Sequence, residues 1–179
     1  IGVVAAISAF NHPLNLIVHQ VVPAIATGCP VIIKPASTTP LSCLAFVELV
    51  HEAGVPEEWV QTFITDDNDL AQALATDERI AFLSFIGSAK VGWSLRSKLA
   101  PGARLALEHG GSAPAIVDRS ALLDKVIEPI VKGAYYHAGQ VCVSTQRLYV
   151  HNDILSDVTE RLVSRVKALR VADPTSKDT

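Results

Sequence analysis

The stretch IGVVAAISAFNHPLNLIVHQVVPAIATGCPVIIKP, residues 1–35, decides the fold. Residues 1–7 form an almost unbroken apolar run, the pattern of a strand covered on both faces. From Pro13 to Ala26 the apolar residues extend over helical length, behind a proline that suits a first helical turn and ahead of Gly28, which suits a helix end. Residues 30–34 are a second, β-branched run stopped by Pro35. Two short strands joined through a helix read as a parallel pair, because parallel strands need a crossover where antiparallel ones need only a turn.

The alternation continues outward. A helix is expected over 40–53, closed by Gly54 and Pro56, then a strand over 59–65, a short helix over 69–75, a strand over 80–85, a helix over 88–99 and a strand over 104–107. Five such units predict an open, mostly parallel sheet with right-handed crossovers and helices on both faces. Ligands of such sheets sit at the carboxyl ends of the strands. The segments there, 8–15, 34–39, 86–88 and 108–112, hold most of the unusual polar residues. After Gly110-Gly111 the texture changes to a strand over 113–117, a long helix over 122–137, a strand over 147–151 and a helix over 154–169. The expected architecture is therefore α/β, one domain over 1–110 followed by the start of a second α/β domain over 111–179, with 173–179 loose.

Composition narrows the function classes. The 179 residues are 49% hydrophobic and 18% charged, with mean hydropathy +0.32. A charged fraction below the ~25% usual for globular chains excludes intrinsic disorder. A net charge of −3 supplies no basic footprint for nucleic acid. Every apolar run is broken before membrane-spanning length, so no membrane partner is expected. The three cysteines, Cys29, Cys43 and Cys142, are widely spaced with no paired motif. They predict neither a disulfide framework nor a metal site, and a reducing, cytoplasmic compartment. A chain without methionine that opens on a strand is expected to be an internal piece of a longer polypeptide.

Several residues invite chemistry, each beside a plainer reading. Gly87-Ser88-Ala89-Lys90-Val91-Gly92 follows a strand and opens a helix, where backbone N–H groups suit a phosphate. The spacing is close to that of a nucleotide-hydrolysing loop, but Trp93 stands where its lysine is needed, so hydrolysis is rejected. An ordinary turn with Ser88 as helix cap accounts for the segment equally. Lys34 ends a strand at a proline and reads as an anion ligand or a solvated charge. Cys142, between two valines, reads as an inert core thiol or a nucleophile, with His137 nearby as a conceivable thiol-hydrolase partner. Glu108, ahead of two glycines, reads as a strand-end charge or a partly desolvated base.

Their order along the chain adds more. Phe10-Asn11-His12-Pro13-Leu14, Lys34-Pro35-Ala36-Ser37, Phe85-Ile86-Gly87-Ser88 with Val91-Gly92, Leu107-Glu108-His109-Gly110-Gly111 and Gly139-Gln140-Val141-Cys142 form a series over nearly the whole chain. That series resembles the NAD(P)-dependent aldehyde dehydrogenase superfamily. The resemblance implies a Rossmann-like cofactor-binding domain over 1–110 and the beginning of a catalytic domain over 111–179. It makes Cys142 the nucleophile that forms a thiohemiacetal and then a thioester, Asn11 and the Cys142 N–H the oxyanion donors, and Glu108 the base that activates water. It turns Lys34 and Ser37 toward the adenosine ribose and Gly87 and Ser88 toward the pyrophosphate, and it includes Ser8 and Phe10 in the cofactor site. No metal is implied. The cofactor is NADP or NAD, with NADP acceptance favoured because Ser37 replaces the glutamate of many NAD-preferring members. The partner is a small-molecule aldehyde, and the parent protein is expected to be a homo-oligomer.

The chain departs from the family at Phe10 and His12 beside the asparagine, at Ile86 where threonine is common, at His109 beside the base, and at Asp66-Asp67-Asn68, which replaces a glycine-containing turn. The later motif that grips the nicotinamide ribose is missing, so the 179-residue piece is expected to be inactive alone. A non-catalytic nucleotide-binding module of the same fold and a cysteine–histidine thiol hydrolase are the competing readings. The combination of Asn11, Glu108 and Cys142 favours the dehydrogenase.

Overall fold

In the computed structural model, which describes residues 1–177, the first strand alternates its side chains between two covered faces. Strand β1 (Val3–Ile7) sends Val4 and Ala6 into one core and Ala5 and Ile7 into another. The first core is built with helices α1 (Pro13–Ala26) and α2 (Leu41–Glu52), through Ile17, Val21 and Val47. It also takes Val31 and Ile33 from β2 (Val31–Lys34) and Val60 from β3 (Val60–Thr62). The second core gathers Ala75 of α3 (Asn68–Thr76), Ile80, Leu83 and Phe85 of β4 (Ile80–Gly87) and Leu95 of α4 (Ala89–Arg96). Strand β5 (Arg104–His109) closes that side with Leu105 and Leu107.

All neighbours in the sheet are parallel, in the order β3-β2-β1-β4-β5. The order reverses at β1, which lies between β2 and β4. Such a reversal leaves a crevice at the carboxyl ends of the central strands, because the connections on its two sides run to opposite faces. This matches the open parallel sheet with helices on both faces that the alternation predicts.

Two compact units divide at Gly110 and Gly111. In the second, β6 (Ala113–Val117) and β7 (Thr145–Val150) pair in parallel. Helices α5 (Leu123–Tyr135) and α6 (Leu155–Lys167) supply Ile127, Val131 and Val158 to a core with Val117, Leu148 and Val150.

Several bounds differ from the expected elements. Strand β3 is only three residues long, starting after a 3-10 turn at Glu57–Trp59 and ending at Thr62. The helix expected over 122–137 stops at Tyr135, since His137 and Ala138 adopt left-handed φ values of 54° and 53°. The loose end expected over 173–179 includes Asp178 and Thr179, which lie outside the described residues; residues 169–177 carry neither helix nor strand.

Candidate active site

The carboxyl edge of the five-stranded sheet assembles most of the polar residues singled out above. Beyond β1, the Ser8 N–H donates to the carbonyl of Lys34 at 3.1 Å, tying the first loop to the end of β2. Ser8 is buried, yet its hydroxyl has no hydrogen-bond partner among the described residues. Phe10 is half exposed on the same loop, and Asn11 stands just ahead of α1. The Lys34 ammonium is partly buried, and desolvation lowers its pKa from the usual lysine value while the Asp66 charge opposes the shift. Ser37, two residues beyond Pro35, is exposed.

At the end of β4, Gly87 is fixed by its own strand: a Cβ there would stand 2.6 Å from the Phe85 ring. Ser88 caps α4, its hydroxyl accepting from the Val91 N–H at 3.4 Å. The cap reading of this turn is thus realised, and the glycine leaves a bare backbone at the opening of the helix. On the adjoining strand Ile86 pairs with Glu108 and Gly87 with His109. Strand alternation turns Glu108 outward, and its side chain is exposed. In this structure Glu108 thus stands as an exposed charge at a strand end, one of the two readings given above. His109 turns the other way, meeting Trp93 edge-on with ring centroids 5.2 Å apart and lying over Gly92, where a Cβ would come within 2.7 Å of its ring.

One residue of this edge was missed by sequence reasoning. Gln20 is buried on α1, and its amide nitrogen donates to the carbonyls of Ile7 at 3.2 Å and Ser84 at 2.9 Å and reaches the Ser84 hydroxyl at 3.1 Å. It clips the end of β1, which leads into the Asn11 loop, to the middle of β4, which leads into the Gly87-Ser88 turn. The available signal was an amide on the same helical face as Ile17, Val21 and Ala24.

Cys142 belongs to the second unit, on the loop between α5 and β7. It is exposed, whereas Cys29 and Cys43 are buried, so it is the one accessible thiol of the three. The loop is anchored by buried Val141 and Ser144, with the Ser144 N–H donating to the Val141 carbonyl at 3.0 Å and its hydroxyl to the Gly139 carbonyl at 3.5 Å. A left-handed turn through His137, Ala138 and Gly139 precedes it and is closed by the Gln140 N–H on the His137 carbonyl at 3.0 Å. Gly, Asn, Asp and His favour this conformation, so His137 and Gly139 suit the turn, while Ala138 gave no such signal. Among the described residues no group of three His, Cys, Asp or Glu side chains could hold a metal, and no helix is long and apolar enough to cross a membrane.

A family model described as the aldehyde dehydrogenase family matches residues 1–179. A 3-sulfolactaldehyde dehydrogenase from Priestia aryabhattai is 37% identical over 179 residues, covering 100% of this chain and 37% of its own length. A crystal structure of betaine aldehyde dehydrogenase from Staphylococcus aureus in complex with NAD+ superposes with a TM-score of 0.94 at 30% identity, over 99% of this chain and 35% of that one. A glyceraldehyde-3-phosphate dehydrogenase from Methanocaldococcus jannaschii complexed with NADP gives a TM-score of 0.92 at 35% identity, over 99% and 40%. The chain thus spans little more than a third of the length of these relatives.

Proposed function

The chain belongs to the aldehyde dehydrogenase family, and from that premise we propose that the protein oxidises a small aldehyde to a carboxylic acid with NADP or NAD. Residues 1–110 serve as its cofactor-binding domain and residues from 111 onward open its catalytic domain. The observation that carries the reading is the single accessible thiol, Cys142, on a loop anchored from both sides, within a chain that the family model spans from end to end.

The residues present fit a dinucleotide. The Gly87-Ser88 turn places backbone N–H groups at the start of α4, where they suit a pyrophosphate. The orphaned hydroxyl of Ser8 and the partly buried ammonium of Lys34 supply polar groups at the same strand edge. Ser37, Phe10 and Ser88 complete the set assigned to the cofactor. When bound, the nicotinamide accepts a hydride.

The chemistry of the chain's own residues follows from their types. The Cys142 thiolate adds to the aldehyde carbon, and the Asn11 amide and the Cys142 N–H hold the oxygen as it becomes an oxyanion. Loss of hydride from that carbon leaves a thioester. Glu108 takes a proton from water, the hydroxide adds to the thioester, and the thiolate departs with the carboxylic acid released. The wide spacing of Cys29, Cys43 and Cys142 supports action in a reducing compartment, the cytoplasm, and the parent protein is read as a homo-oligomer.

A stopped-flow measurement of reduced cofactor in the full-length protein tests the reading. Cys142→Ala abolishes the hydride burst while cofactor binding persists. Glu108→Gln keeps a burst of one hydride per site and then stalls, the later step falling by roughly 10²–10⁴, the size of a lost general base. Substantial turnover by a verified Cys142→Ala protein overturns the mechanism.

A further inference from the structure

Gly110 and Gly111 are adjacent and read alike in the sequence, but they meet different constraints. Gly110 has a φ of +70°, and a Cβ added to it would have no atom within 4 Å. Gly111 has no such φ. A Cβ there would instead overlap the carbonyl oxygen of Cys142 and stand 2.8 Å from its carbonyl carbon and 3.0 Å from its Cα. All three atoms are backbone, so no side-chain rotation relieves the contact. The loop is also held elsewhere, by Val141 in the interior and by the two Ser144 hydrogen bonds, so its retreat would cost burial.

We propose that Gly111 is a positioning residue for Cys142: the connector before β6 lies directly against the peptide of the nucleophile, and the missing side chain at 111 sets where the thiol and the Cys142 N–H stand. The importance of that position for rate rests on the function proposed above, since a nucleophile and an oxyanion donor carried on one residue move together. Displacement of reacting groups by about 1 Å costs on the order of 10²-fold in rate. Gly110 has a separate task, supplying a left-handed turn at the unit boundary.

The two roles separate in Gly110→Ala and Gly111→Ala, made in the full-length protein. For Gly111→Ala the rate constant of the hydride burst falls by about 10²-fold, while the dissociation constant of the cofactor stays at the wild-type level. Gly110→Ala keeps the wild-type burst rate and lowers only the thermal midpoint. A purely structural role for both glycines would lower both midpoints and leave both burst rates alone. That result, or equal burst losses in the two variants, overturns the proposal. If Gly111→Ala does not fold, the double variant with Val141→Ala opens space under the loop, and Val141→Ala alone serves as its reference. A burst in the double variant equal to that of the reference also overturns the proposal. A wild-type protein without any burst speaks against the proposed function instead. The positional claim is then read from alkylation of Cys142 by iodoacetamide, which must change in rate for Gly111→Ala and not for Gly110→Ala; no change in Gly111→Ala overturns it.

Discussion

At the scale of single residues, the carboxyl edge carries an electrostatic question about cofactor choice. Ser37 is exposed and uncharged, Lys34 beside it is partly desolvated, and the Asp66 carboxylate acts on that ammonium from the loop after β3. A carboxylate at 37 would repel a 2′-phosphate by roughly 4 kcal/mol at ~4 Å and an effective dielectric near 20, before screening and relaxation. Serine removes that repulsion and leaves Lys34 to pair with the phosphate. The proposed enzyme should therefore accept NADP at least as well as NAD, and Ser37→Glu should shift the ratio of kcat/KM values toward NAD by about tenfold or more, the effect of ~1.4 kcal/mol. Strong NAD preference that ignores residue 37 would assign discrimination to Asp66 instead. Residue types and their order were legible in the sequence here, as with Lys34 at a strand end and Ser88 as a cap. Two things were not. The exposure of Glu108 depends on which face of β5 is covered, and the close approach of Gly111 to Cys142 joins segments 31 positions apart, which local pattern cannot bring together.

Among the elements, the parallel strands were legible as short apolar runs, most clearly where β-branched residues stand ahead of a proline stop, as in β2 before Pro35. Their boundaries slipped where backbone chemistry overrode pattern, as in the left-handed turn at His137 and Ala138 that ends α5. Helices α5 and α6 show what the sequence hides, namely charge pairing across elements. Arg165 of α6 donates through Nε to Glu128 of α5 at 2.9 Å, and Arg161 reaches Asp124 of α5 at 2.6 Å as well as Asp157 one turn back on its own helix. The Arg165 guanidinium holds the Glu128 carboxyl below the usual carboxylate value. A depressed pKa contributes stability above the ordinary value of about 4.3, and that contribution is lost as pH falls through the lower, folded value. These partners are largely exposed, so the effect is small and salt-sensitive. Arg165→Met should lower the thermal midpoint at pH 7, and the deficit should shrink below about pH 4, where Glu128 begins to take up a proton in the unfolded chain. A deficit that is the same at pH 7 and pH 3 would remove the ion pair as its cause.

For the whole molecule, the apolar composition has to be reconciled with what the two units bury. In the second unit Val117, Leu148 and Val150 face α5 and α6, so strand alternation turns their neighbours to the other side. There Ile116 and Tyr149 are cross-strand partners and are 82% and 53% exposed. Leu122 and Val143 are exposed at 63% and 65% in the same unit. An apolar cross-strand pair left open on a two-stranded sheet is a surface that other chains can cover. With a net charge of only −3, the polypeptide has little long-range repulsion to keep copies apart. The 179-residue polypeptide made alone should therefore self-associate with rising concentration, bind cofactor weakly and show no turnover. Replacing Ile116 and Tyr149 together by threonine, which keeps β-propensity while removing most of the apolar area, should shift the sedimentation-velocity distribution toward monomer without changing secondary structure by circular dichroism. A wild-type polypeptide that sediments as a monomer at every concentration and oxidises aldehydes would show that residues 1–179 are self-sufficient and that this face needs no cover.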